Sequence, residues 1–209
     1  MRNSNIHFKA ASPRRKDLRR GPFLIPLAFA CLALSPAAQA VNPAPDGGYP
    51  GSNTAEGQNA LLSLTTGMHN TAVGYLSLKS DTTGGYNTAV GSGTLLVNTG
   101  VGNTATGAFA LLGNTGGIFN TANGTIALFS NTTGTNNTAT GEAALYSNTT
   151  GGHNTANGVT ALYSNTAGEN NTAYGVNALY SNTTGTDNTA NGVNALSNNT
   201  TGYGKYGYR

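Results

Sequence analysis

A seventeen-residue repeat constrains this chain more than any other feature. The triplet Asn-Thr-Ala occurs nine times, at spacings of 17 residues with a single spacing of 16. Gly is fifth and Leu is ninth in every copy, as in NTATGEAALYSNTTGGH over residues 137–153. A short fixed period of this kind indicates stacked units that bury their apolar sides against one another. The nine copies begin at Asn53, Asn70, Asn87, Asn103, Asn120, Asn137, Asn154, Asn171 and Asn188.

Each copy is too short, and too rich in turn-forming residues, to form a helix. We expect one strand through Thr-Ala-x-Gly and another through x-Ala-Leu-Tyr-Ser, with a corner at Asn-Thr-Thr-Gly. Coiling these units predicts an all-β fold, a β-solenoid or parallel β-roll of nine 17-residue coils. The ninth-position Leu residues should form one buried column, and the recurring Asn and Thr residues should form ladders between coils.

Residues 1–40 have the features of a secretory signal peptide. They contain seven of the ten Lys and Arg residues and one acidic residue, and an apolar run of 14 residues follows the basic segment. That run is shorter than the roughly 20 residues of a membrane-spanning helix. The small-x-small sequence Ala38-Gln39-Ala40 is typical of a signal cleavage site. We therefore expect an exported protein, extracellular or at a bacterial cell surface, whose mature chain begins at Val41.

Four segments follow from these patterns. They are a signal peptide over residues 1–40, a Pro/Gly linker over 41–52, a repeat β-solenoid head over 53–204 and a truncated tail over 205–209. After residue 40 the chain carries three basic and six acidic residues. Because no basic cluster remains to neutralise phosphates, nucleic acid is not an expected partner.

The repeats show no pattern typical of catalysis. The two histidines after residue 40, His69 and His153, have no second His or Cys at metal-ligand spacing. The acidic residues are scattered over different copies, without a recurring pair that could act as acid and base. We therefore expect a protein that is not an enzyme, with no cofactor and no metal site.

An aromatic stripe occupies the tenth position of four successive copies. Each apolar core is thin, with about one large aliphatic residue per coil, and this favours association between chains. The stripe is then either a seam between subunits or an exposed stacking platform for a ligand. We favour the seam, because large exposed apolar stripes usually mark association surfaces. Its residues are Phe129, Tyr146, Tyr163 and Tyr180.

The repeat units resemble those of a known family. NTAVG at residues 70–74 and NTANGVNAL at residues 188–196 are similar to the head repeats of YadA-like trimeric autotransporter adhesins and related tail-fibre-like surface proteins. The resemblance covers residues 53–204. It implies a homotrimeric β-roll head, exported and displayed, that adheres to a host, matrix or neighbouring-cell surface through a surface protein or a glycan.

Two other functions remain open. The repeats could form a tail-fibre-like structural rod, or a binder of repetitive surfaces such as ice or crystalline polysaccharide. A repetitive-surface binder should keep one face strictly Thr-bearing, yet the fourteenth position varies between Thr133, Ala167 and Gly116. We also expect the 16-residue copy at Asn87 to interrupt the register of such a face. These two points favour adhesion.

Overall fold

The computed structural model describes residues 49–209, so the predicted signal peptide and most of the predicted linker lie outside the described residues. No helix in the described part is long and apolar enough to cross a membrane. Ten three-residue strands are present. They are β1 (Thr54–Glu56), β2 (Thr71–Val73), β3 (Thr88–Val90), β4 (Thr104–Thr106), β5 (Thr121–Asn123), β6 (Thr138–Thr140), β7 (Thr155–Asn157), β8 (Thr172–Tyr174), β9 (Thr189–Asn191) and β10 (Tyr206–Tyr208).

The strands form one parallel sheet in sequence order, β1 to β10. Each Thr-Ala-x segment pairs with the same segment of the next copy, so that Thr121 lies opposite Thr138 and Ala122 opposite Ala139. The predicted β-solenoid of about nine turns is thus confirmed, as is the first of the two predicted strand segments.

The second predicted strand, through x-Ala-Leu-Tyr-Ser, is wrong. This segment is a series of turns in which the ninth-position Leu residues have φ between 47° and 53°. Its backbone still bonds from coil to coil, since the Leu145 amide donates to the Ala161 carbonyl at 2.9 Å and the Ser147 amide to the Tyr163 carbonyl at 3.0 Å. The left-handed Leu conformation is unusual for a bulky residue, and it bends the chain around the interior where a strand would run straight.

The interior has an apolar half and a polar half. The apolar half contains Ala at the third position, Leu at the ninth, and a small residue, mostly Ala, at the eighth. Seven Leu residues of the predicted column are fully buried, Leu61 at one end is 7% exposed, and Leu196 at the other end is partly buried. The predicted column is therefore confirmed. Its fully buried members are Leu78, Leu95, Leu111, Leu128, Leu145, Leu162 and Leu179.

The polar half contains two stacks of buried side-chain amides, one from the first position and one from the twelfth. Asn148 Nδ2 donates to Asn131 Oδ1 of the preceding coil at 2.8 Å and to the Gly151 carbonyl of its own coil at 2.9 Å. From the other stack, Asn137 Nδ2 donates to the same Gly151 carbonyl at 2.8 Å. Each fifteenth-position carbonyl of this type joins the two stacks, which explains why polar groups are buried without loss of hydrogen bonds.

The 16-residue copy keeps the sheet in register, contrary to our expectation. Its missing residue falls in the corner between Thr99 and the glycine that follows. The Gly100 carbonyl still accepts from Asn87 Nδ2 at 2.9 Å and from Asn98 Nδ2 at 3.0 Å. Strand β3 therefore pairs with β4 without a slip, because the shortened corner turns outside both amide stacks.

The tail over residues 205–209 continues the solenoid. Tyr206 to Tyr208 form β10 beside β9. The Lys205 amide donates to Asn188 Oδ1 at 3.0 Å, which is the bond that the first-position Asn makes in other copies. The backbone of this segment thus follows the repeat although its side chains do not.

The fifth-position glycines allow neighbouring coils to approach closely. Gly141 has φ of 129°, and a Cβ atom there would lie 2.6 Å from the Gly158 carbonyl oxygen of the next coil. Because backbone atoms on both sides are fixed by coil-to-coil bonds, neither coil could move away cheaply.

We predict that Gly141→Ala destabilises the fold by roughly 2–3 kcal/mol, through overpacking and a left-handed backbone angle. The matched control is Gly116→Ala, where the nearest neighbour of the added Cβ would be Thr133 at 4.0 Å. That variant should be unchanged or stabilised by up to about 1 kcal/mol. Urea unfolding followed by circular dichroism measures both. Equal stability of the two variants would contradict the close approach of coils at Gly141.

Candidate binding surface

The outer surface presents columns of like side chains, because each position of the repeat stacks on the same position of the next coil. On the sheet, the second and fourth positions point outward on either side of the buried Ala. The second position is Thr in strands β1 to β9 and Tyr206 in β10. The fourth position is mixed, with Val73, Asn123 and Tyr174 among its members. The sheet face therefore carries one uniform column, which we name the Thr column.

The predicted stripe residues form a second column, named here the aromatic ladder. The rings of Phe129 and Tyr146 lie 5.2 Å apart between centroids and 7° from parallel. Tyr146 and Tyr163 are 5.1 Å apart at 5°, and Tyr163 and Tyr180 are 5.2 Å apart at 4°. The structure thus brings all four predicted residues together within one chain, as a continuous stack.

The ladder is half-buried against its own chain. Phe129, Tyr146 and Tyr163 are of intermediate exposure, whereas Tyr180 is 37% exposed. Within the stack, the ring faces cover one another and the ring edges point outward. Flat stacking of a ligand needs an open ring face, so the middle of the ladder is not a stacking platform. A packing seam requires only ring edges and Tyr hydroxyls, and the ladder presents both.

The described residues contain no group of three or more His, Cys, Asp or Glu side chains that could hold a metal ion. His69 stacks on Tyr86 with ring centroids 5.0 Å apart. His153 Nε2 lies 3.4 Å from Asn136 Nδ2 at the exposed surface. These contacts are local ones along the outer edge of neighbouring coils.

The chain matches no protein-family model, no curated protein and no solved structure. The fold is established from the structure alone.

Sequence reasoning missed one chemically distinctive residue, the buried carboxylate of Asp81. It occupies a twelfth position, where the later copies have Asn, and it is fully buried. Its Oδ1 accepts from the Gly84 amide at 2.7 Å, and its Oδ2 accepts from Asn87 and Asn98 at 3.3 and 3.4 Å. Burial raises the pKa of this carboxyl, although these hydrogen bonds oppose the rise. The sequence does mark this residue, because an alignment of the copies shows Asp81 at a twelfth position where the later copies have Asn.

We predict that Asp81→Asn stabilises the protein at neutral pH by about 1–3 kcal/mol, since it removes a buried charge and restores the amide stack. A raised folded-state pKa means that the folded protein holds the proton more tightly. The native chain therefore loses stability as the pH rises through that pKa. The advantage of the variant should accordingly shrink at acidic pH. Thermal unfolding at pH 3 and pH 7 measures this difference.

The control for this experiment is Glu142→Gln, which changes an exposed carboxylate and should alter stability little at either pH. If Asp81→Asn were less stable than the native chain at pH 7, the carboxylate would be a required part of the stack and the expectation would be wrong.

Proposed function

We propose that this is an exported, non-catalytic surface protein of the YadA-like adhesin type. It acts as a homotrimer that adheres to a surface protein or a glycan on a host, matrix or neighbouring cell. The observation that carries the proposal is the aromatic ladder, a continuous row of ring edges and Tyr hydroxyls on the outside of a rigid rod. The resemblance of the repeats to adhesin heads supports the same proposal.

A repeated surface suits adhesion because it acts through many weak contacts at once. Each coil displays similar groups at a fixed spacing, and three chains side by side multiply those groups further. Linked sites of this kind gain avidity without any single strong contact. The coil-to-coil hydrogen bonds hold the display rigid, which lowers the entropy lost on binding.

We predict that the exported chain is a trimer, and that changing Tyr146, Tyr163 and Tyr180 together to Ser lowers the assembly to monomers or unfolds it. The loss should also abolish adhesion to surfaces coated with matrix protein or glycan. Light scattering measures the mass, circular dichroism the fold, and bead adhesion the function. The control changes two exposed tyrosines elsewhere, Tyr75→Ser and Tyr174→Ser, and should leave the mass unchanged.

The outcomes separate the role of the ladder as a subunit seam from its role in adhesion. A native chain that is a well-folded monomer at micromolar concentration contradicts the seam. A native trimer that fails to bind every coated surface contradicts adhesion while leaving the seam intact.

A second candidate function is binding to a repetitive solid such as crystalline polysaccharide or ice. The observation that favours it is the Thr column, which stays in register through the 16-residue copy. Parallel strands place these hydroxyls and methyl groups at intervals of about 4.8 Å, a spacing that a crystalline surface can match. The column is only one residue wide, because the fourth position varies.

If the Thr column binds a crystal face, Thr121→Lys with Thr138→Lys should abolish pull-down by microcrystalline polysaccharide or the inhibition of ice growth. The matched control, Thr133→Lys with Thr150→Lys, places the same charges on exposed fourteenth positions and should have no effect. Loss in both double variants, or no binding by the native chain, would exclude this candidate.

A further inference from the structure

The aromatic ladder ends abruptly at Tyr180, because the tenth position of the next copy is Ser197. Tyr163 covers one face of the Tyr180 ring, and the short Ser197 side chain leaves the other face open. The opposite end differs, since the tenth position of the copy before Phe129 is the half-buried Leu112. Tyr180 is therefore the last ring of the ladder, with one face turned to a shallow depression. This face is perpendicular to the ring edges that form the proposed seam, so the open face lies at the end of the seam and not within it.

The depression has a volume of about 330 Å³, which lies within the size range of small-molecule sites. None of its lining residues is charged, and five of the six carry a hydroxyl or an amide beside the aromatic ring. They are Asn177, Tyr180, Ser181, Asn194, Ser197 and Asn198.

A short relay of hydrogen bonds orients the amides at one side of the depression. Thr160 Oγ1 donates to Asn177 Oδ1 at 2.5 Å, and Asn177 Nδ2 donates to Asn194 Oδ1 at 3.1 Å. Each carbonyl oxygen accepts one of these bonds and has the capacity for a second, and the Nδ2 group of Asn194 is available as a donor. These bonds hold the amides of Asn177 and Asn194 side by side at the depression.

We propose that this depression, named here the ladder-end site, binds one sugar residue of a neutral saccharide. A pyranose has an apolar face of C–H groups, which matches the electron-rich open face of Tyr180. Its hydroxyls need neutral donors and acceptors, and the amides and hydroxyls of Asn194, Asn198 and Ser181 supply them. A nucleotide would need cations for its phosphates, and the lining provides none. The inference rests on the proposed adhesive function, because it identifies the glycan side of that function.

The decisive variant is Ser197→Tyr in the full chain. A fifth ring should extend the ladder, cover the open face of Tyr180 and fill the depression while preserving the fold. We expect binding of free hexoses and N-acetylhexosamines to weaken at least about tenfold. Tyr180→Leu should weaken binding similarly while still covering Tyr163. Titrations followed by NMR shifts of the Asn side-chain amides measure the affinity and report its location.

The matched control is Leu112→Tyr, which lengthens the ladder at its other end and should leave saccharide binding unchanged. Equal affinity of the native chain and Ser197→Tyr would overturn the site, and so would a native chain that binds none of the sugars. A response to proline-rich peptides alone, removed by Ser197→Tyr, would make the ligand a protein and overturn the saccharide proposal.

Bead adhesion of the same variants separates this site from the proposed function. Adhesion that persists in Ser197→Tyr overturns the ladder-end site as the adhesive contact and leaves adhesion standing. Saccharide binding at Tyr180 in a native chain that adheres to no coated surface supports the site and overturns adhesion.

Discussion

Buried side-chain amides determine how the coils of this solenoid can stack. Asn131 shows the principle, because its Nδ2 donates to Asn114 Oδ1 and to the Gly134 carbonyl, while its Oδ1 accepts from Asn148. Taking such an amide out of water without partners would cost about 1–3 kcal/mol. A single coil cannot supply the partners above and below, so the polar half of the interior forms only in a stack. The last oxygen of the stack, Asn199 Oδ1, is accordingly the one buried side-chain polar atom without a partner in the described part of the chain.

This dependence on neighbours also explains how an unfavourable backbone is maintained. A left-handed conformation costs roughly 1–2 kcal/mol for an ordinary L-residue, and all nine ninth-position Leu residues adopt it. Full burial of a Leu side chain contributes about 1.5–3 kcal/mol, so the two effects are of similar size at this position. Coil-to-coil hydrogen bonds and the amide stacks therefore decide that the segment turns. The thin apolar core that suggested association is supplemented by these polar contacts within one chain.

The period, the Leu column and the Thr-Ala-x strands could be predicted from the sequence, because each depends on which residue recurs at which spacing. The sequence did not reveal the turns around Leu145. The eighth and ninth positions are both buried, as Ala144 and Leu145 show, whereas successive side chains of a strand point to opposite faces. The seventh position is also left-handed yet holds residues as different as Phe109, Ile126 and Thr160. Nothing in its local composition marks the conformation, which arises from stacking. The ladder residues could be identified from the sequence, because like residues at the tenth position of successive copies stack in one column.

The Thr column and the aromatic ladder differ in how far the fold itself accounts for them. Thr at the second position is β-branched and lies on the outer face of a strand, where such residues are favoured. Its repetition therefore has a structural cause that requires no ligand. The tenth position has no such cause, because Leu96, Lys79 and Ser197 occupy the same place in the solenoid. At the tenth position, aromatic residues occur only in four successive copies, which makes the ladder a local addition to a tolerant scaffold. A binding role therefore accounts for the ladder and its open end in a way that the fold does not, whereas the fold alone accounts for the Thr column.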